Sequence, residues 1–149
     1  MRITSKGISE TNKHLQEIVA RVKSLRPAME AGALDIKKLV DDAFYKSIDP
    51  NTGAAWQPLA ESTIKRRRQG SSKPLVDTGR LRGSIATKAF DKSIVYGTNV
   101  VYAGPHQKGT RKIPQRRFLP TDFSAGPAAL TAQKIVRRIL NYITKGTAK

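Results

Sequence analysis

Apolar positions in the first third of the chain recur at helical spacing. Leu15, Ile18, Val19 and Val22 stand at i, i+3, i+4 and i+7, which places them on one helix face. Ser9 or Asn12 is the candidate cap for its start. Pro27 then breaks or restarts the helix, because proline fits a first turn, where its missing N–H costs nothing. A second helix is predicted from about Ala28 to Ser47, with Met29, Ala33, Ile36, Val40, Ala43 and Phe44 on its apolar face. Asp49-Pro50-Asn51-Thr52-Gly53 ends it with strong turn chemistry.

The middle of the chain changes period. After Trp56 and Pro58, a short helical stretch is expected from Leu59 to Arg68, followed by a loop over Gln69 to Lys73. Asp77-Thr78-Gly79-Arg80-Leu81-Arg82 reads as a capped turn or single helical turn, with Asp77 or Thr78 as the cap. Ser84 to Phe90 alternates, with Ile85, Thr87 and Ala89 on one side, and Ser93 to Thr98 alternates again around Ile94 and Tyr96. With Asp91-Lys92 between them, these runs predict a β-hairpin. Val100 to Ala103 is a third candidate strand. Gly104 to Pro120, punctuated by Pro105, Gly109 and Pro114, reads as an extended loop that reaches outward. Ala128 to Ile143 is amphipathic, with Ile135, Val136, Ile139, Leu140 and Ile143 as its stripe and Arg137 and Arg138 opposite.

The pattern is an α+β layout: a small antiparallel β-sheet packed by two N-terminal helices and a C-terminal helix, with long basic loops. The 149 residues suit one domain. It divides into a helical part over 1–48, a loop and sheet part over 49–127, and a C-terminal helix and tail over 128–149.

Charge changes this picture. The formal net charge is +17, and it is unevenly placed. Met1 to Glu61 carries nine Lys/Arg against eight Asp/Glu; Ser62 to Lys149 carries nineteen against three, Asp77, Asp91 and Asp122. A balance this lopsided points to a polyanion or an acidic protein surface. The basic clusters are Lys65-Arg66-Arg67-Arg68, Arg80 with Arg82, Lys108 with Arg111 and Lys112, Arg116-Arg117 and Arg137-Arg138. The bland alternative is a solvated basic surface.

Other chemistry is poorly supported. No cysteine is present, which excludes disulfides, thiol nucleophiles and cysteine metal sites. No apolar run approaches a membrane span, and the N-terminus lacks a secretory layout, so the chain is expected to be soluble and cytoplasmic. His14 and His106 are the two histidines, and only His106 lies in a Gly/Pro context suited to function. Asp41 and Asp42 are adjacent on a helix and diverge by about 100°, which does not favour a shared metal or proton. No catalytic residues, cofactor or metal is expected. No helix-turn-helix, zinc finger or RNA-recognition motif is present, and aromatics are too few for a base-stacking platform.

The order of motifs is more informative than their composition. Phe44 is followed by Asp49 to Gly53, Trp56-Gln57-Pro58-Leu59 and Thr63. Then come Asp77-Thr78-Gly79-Arg80-Leu81, Tyr96-Gly97-Thr98, Tyr102-Ala103, His106-Gln107-Lys108-Gly109, and Pro114, Arg116, Phe118 and Leu119. From Phe44 to Leu119 this series resembles the phage virion morphogenesis family, the tail-completion or neck proteins of tailed bacteriophages. Gly104-Pro105 and Lys108 depart from the family's pattern and alter the surface beside His106.

The resemblance implies a non-enzymatic virion protein at the neck or tail, assembled in the host cytoplasm, which joins or terminates the tail at the head–tail interface. It implies a homo-oligomeric ring, hexameric by analogy with neck symmetry, in contact with neck, connector or tail-tube and terminator proteins and with passing double-stranded DNA. Membranes are not implied. Trp56, Asp77, Thr78, Gly79, Arg80, Leu81, Tyr102, His106, Gln107, Arg116 and Phe118 are the candidate structural or interaction residues. Phe44, Trp56, Phe118 and Leu119 are the expected core anchors. Lys65, Arg66, Arg67, Arg68, Lys108, Arg111, Lys112 and Arg117 are the candidate polyanion or partner contacts. The alternatives are a basic nucleic-acid-binding protein and, more remotely, a nuclease or peptidoglycan hydrolase.

Overall fold

A computed structural model describes residues 5–67 and 71–148; Arg68 lies outside the described residues. The first helix, α1 (Ser5–Lys23), starts before Ser9 and Asn12, so neither is its cap. A two-residue break leads to α2 (Arg26–Lys46), where Pro27 occupies the first turn as its chemistry demands. The whole expected apolar face of α2 is buried, from Met29 to Phe44. A left-handed Ser47 ends the helix, its N–H donating to the Ala43 carbonyl.

Two layers pack against α2. On one side lies the hairpin β1 (Ala86–Ala89) and β2 (Ile94–Gly97), antiparallel with Ala86 opposite Gly97 and Ala89 opposite Ile94. Its turn is hooked to the α1–α2 junction: the Leu25 N–H donates to the Asp91 carbonyl at 3.1 Å, and the Ser24 hydroxyl to the Asp91 carboxylate. The long C-terminal helix, α6 (Gly126–Lys145), packs on α2 as well. Gly32 sits where the three meet. A Cβ there would stand 3.0 Å from Ile94 and 3.3 Å from Ile135, so a side chain would push the layers apart.

Three short helices complete the chain: α3 (Glu61–Arg66), α4 (Arg80–Gly83) and α5 (Ala103–Lys108). Helix α3 is shorter than the stretch expected from Leu59. Helix α5 replaces the third strand expected over Val100 to Ala103. Val101 is 93% exposed and stands in a turn closed by Ala103 N–H donating to the Val100 carbonyl. Gly104 and Pro105, read as breakers, occupy the first turn of α5, where no intrahelical N–H is required of them.

Nor is Gly104 to Pro120 an outstretched loop. It folds back on itself, with the Arg116 N–H donating to the His106 carbonyl at 2.8 Å and a Thr110–Ile113 turn between. Helix α6 begins two residues before Ala128, because the turn after α2 holds its start: the Ala128 N–H donates to the Pro50 carbonyl. Its stripe is also split. Ile135, Ile139 and Ile143 are half-buried, while Val136 and Leu140 are more than half exposed. Arg138 does not face the opposite way; it ion-pairs with Asp35 of α2.

Candidate functional site

The motif residues separate into a buried set and a cleft. The buried set is aromatic at its centre. Phe44 meets Trp56 edge-on and Phe118 at a tilt, each with ring centroids 5.6 Å apart. The Trp56 indole N–H donates to the Arg117 carbonyl at 2.8 Å. Leu81 of α4 joins this core.

Two polar side chains then pin the chain that carries Phe118. The Gln107 carbonyl oxygen accepts the N–H groups of Phe118 and Leu119, and its amide donates to the Leu119 carbonyl. Arg116 is buried, and its guanidinium donates to the carbonyls of Gln57 and Pro58 at 2.8 and 3.0 Å. These contacts satisfy backbone groups in irregular segments that have no ladder of their own. Trp56, Leu81, Gln107, Arg116 and Phe118 therefore hold the site together from within. Leu119 is half-buried at the edge of the same core.

The other six motif residues come together at the surface. Asp77, Thr78, Gly79, Arg80, Tyr102 and His106 line a cleft of about 230 Å³, closed below by Leu81 and flanked by Arg67 and Leu75. Neither Asp77 nor Thr78 caps α4. Gly79 is the residue before its first turn, at φ 75°, and this left-handed step carries the chain into the helix. Only the Thr78 hydroxyl reaches a nearby N–H, that of Arg80, at 3.5 Å. Asp77 and Arg80 are left exposed with no ion pair among the described residues.

His106 is the unusual group in the cleft. Its ring stands edge-on to Tyr102, and its Nδ1 is buried with no hydrogen-bond partner among the described residues. Burial, and then the charge of Arg116, hold its pKa below the ordinary imidazole value, so the ring is neutral at neutral pH. Leu75 on the cleft wall has φ 59°, a left-handed conformation that a branched side chain rarely adopts.

The expected polyanion contacts divide by exposure. Lys65, Arg66, Lys108, Arg111 and Lys112 are exposed. Arg67 is half-buried, and one of its nitrogens donates to the carbonyls of Ser71, Lys73 and Val76, so it braces the loop after α3. Arg117 is half-buried and paired with Asp49 at 3.6 Å. Both guanidiniums are engaged within the chain: irregular backbone leaves carbonyls that draw in Arg67, and the Asp49 carboxylate draws in Arg117.

Two further residues prove central. Asn51 is buried, and its carbonyl oxygen accepts the N–H groups of Thr121 and Asp122, joining the turn after α2 to the approach to α6. Its position between Pro50 and Thr52 marks a turn but not this 70-residue reach. Asp35 is buried on α2 and accepts from Lys134 at 2.6 Å and Arg138 at 2.7 Å. A lone acid on the apolar face of a helix is the signal that marks it.

Among the described residues no group of His, Asp or Glu is placed to hold a metal ion, and no helix is long and apolar enough to cross a membrane. The model of the phage virion morphogenesis family matches residues 7–143. No curated protein and no solved structure matches the chain.

Proposed function

We infer the role of this protein from one premise: the chain belongs to the phage virion morphogenesis family. Its role is structural, in the assembly of phage virions. Within that role we propose a neck or tail-completion subunit that joins or terminates the tail at the head–tail interface and works as a homo-oligomeric ring, hexameric by analogy with the symmetry of the neck.

The observation that carries this reading is helix α1. Every residue from Gly7 to Glu17 is exposed, and Ile8, Leu15, Val19 and Val22 present apolar side chains to solvent. Val136 and Leu140 of α6 are exposed as well. A helix with so little packing is marginal in water, and exposed apolar stripes mark association surfaces. A second copy of the chain supplies the missing cover in a ring.

Mass measurement in solution tests this. The wild-type protein is expected to form one closed oligomer, and Leu15→Lys with Val19→Lys is expected to give a folded monomer that melts below it, by the stability the ring contacts supply. A wild-type chain that stays monomeric at every concentration and is absent from purified virions overturns the reading.

A second reading concerns the exposed cations Lys65, Arg66, Lys108, Arg111 and Lys112. They suit phosphate contacts with DNA passing through the neck. Such contacts are weak at physiological salt and fall steeply with added salt. A gel shift showing tight binding at physiological salt would instead favour a dedicated nucleic-acid-binding protein.

A further inference from the structure

The cleft does not end at His106. Arg67, Leu75 and His106 are also walls of an adjoining cavity of about 500 Å³, whose far side is Leu59, Ile113 and the prolines 58 and 114. Taken together, the two spaces make a groove that is polar and charged at the α4 end and mixed at the other, where Leu59, Ile113 and the prolines stand with Thr63, Lys112 and Arg116. We propose that this groove binds an extended, acidic polypeptide segment of another virion protein, with a carboxylate against Arg80 and an apolar side chain against Leu59 and Ile113.

Four observations favour that occupant. Arg80 and Lys112 are exposed, and among the described residues neither has an acidic partner, so a carboxylate placed there gains charge-assisted hydrogen bonds. His106, half-buried and edge-on to Tyr102, is a wall of both spaces and offers its ring as a flat surface to a bound chain. Asp77, exposed on the same wall, accepts hydrogen bonds but cannot donate them. A polypeptide backbone brings both N–H and C=O groups and meets these demands together. A phosphodiester brings only acceptors and leaves Asp77 without a donor, which argues against DNA in this groove. The left-handed Leu75 is the fourth observation: strain of this kind collects at ligand clamps.

A protein of acidic net charge is a better source than a second copy, which carries 28 Lys/Arg against 11 Asp/Glu and no acidic run longer than Asp41-Asp42. The apolar stripe of α1 and the basic groove thus suit different partners. This inference deepens the assembly reading by naming the chemistry of one neighbour.

The test uses the full-length protein and the peptide acetyl-Glu-Leu-Glu-Phe-Glu-amide, followed by NMR through the ring signals of His106 and the amides of 77–81. The peptide is expected to bind with a Kd below about 1 mM, shift those signals and raise the His106 titration midpoint. The Gln-for-Glu peptide and the Arg80→Glu variant are each expected to weaken binding by about tenfold. Lys92→Glu, the same charge change at the hairpin turn, is expected to leave binding unchanged. Absent binding, equal binding of the Gln peptide, equal losses in the two variants, or displacement of the peptide by duplex DNA each overturn the proposal. None of these outcomes touches the ring assay, which reads mass and not groove occupancy.

Discussion

Asp35 of α2 and Arg138 of α6 form an ion pair at 2.7 Å, with Lys134 on the other carboxylate oxygen at 2.6 Å. Asp35 is 8% exposed, while its two partners reach water. One carboxylate therefore ties the two helices, and Gly32 of α2 and Ile135 of α6 meet along the same interface.

Asp35→Asn is expected to cost about 1–3 kcal/mol, less than breaking a fully buried charged pair costs, because both cations can turn to solvent. Burial pushes the Asp35 carboxyl up, but the hydrogen bonds and charges of Arg138 and Lys134 outweigh it and hold the pKa below 3.8. A lowered carboxyl stabilises the fold above its unfolded value and loses that contribution as pH falls through the folded one. Melting curves against pH should show wild type and Asp35→Asn converging in acid.

His106 works in another window. Its folded pKa lies below 6.5, so the unfolded chain binds the proton more readily. Stability should therefore be full above that value and decline as pH falls from about 7 towards the folded pKa. His106→Gln should flatten that part of the melting profile. An unchanged slope would mean that the imidazole is not disfavoured when charged.

Gly79 and Gly126 separate backbone strain from crowding. Both are left-handed, at φ 75° and 62°. A Cβ on Gly79 meets nothing within 4 Å, whereas one on Gly126 collides with the Asn51 carbonyl. Gly79→Ala should cost about 1–2 kcal/mol. Gly126→Ala should cost clearly more and detach the start of α6 from the turn at Asn51. Melting temperatures of the two variants give the comparison.

Phe118 is fully buried against Phe44, and Phe118→Ala is expected to cost about 3–5 kcal/mol. That is a large share of a domain's stability, and the variant should melt far below wild type or fail to accumulate folded. Arg80→Ala, at the exposed rim of the cleft, should leave the melting temperature within a degree or so of wild type.

The elements with a strong period were legible. The stripe from Met29 to Phe44 predicted a buried helix face and the alternation on either side of Asp91-Lys92 predicted a hairpin, and both form. Val100 to Lys108 was not. Gly104 and Pro105 break a helix in its middle but are harmless in its first turn, and local composition does not say where a first turn falls. The candidate site was half legible. Motif order gathered the residues, but did not separate Gln107, Arg116 and Phe118, which hold the chain, from Arg80, Tyr102 and His106, which face outward.

Periodicity and turn chemistry depend on neighbours within a few positions, so the chain alone carried the α+β class, the long helices, the hairpin and the place of the positive charge. Which cations are spent inside the molecule depends on where distant carbonyls and carboxylates arrive. Only folding could place Asp49 beside Arg117, Asp35 between Lys134 and Arg138, and the Val76 carbonyl beside Arg67. Among the described residues the same long-range closure left Arg80 unpaired and His106 Nδ1 without a partner, and it kept the stretch of α1 from Gly7 to Glu17 exposed, because none of these is a property of a residue and its neighbours in sequence.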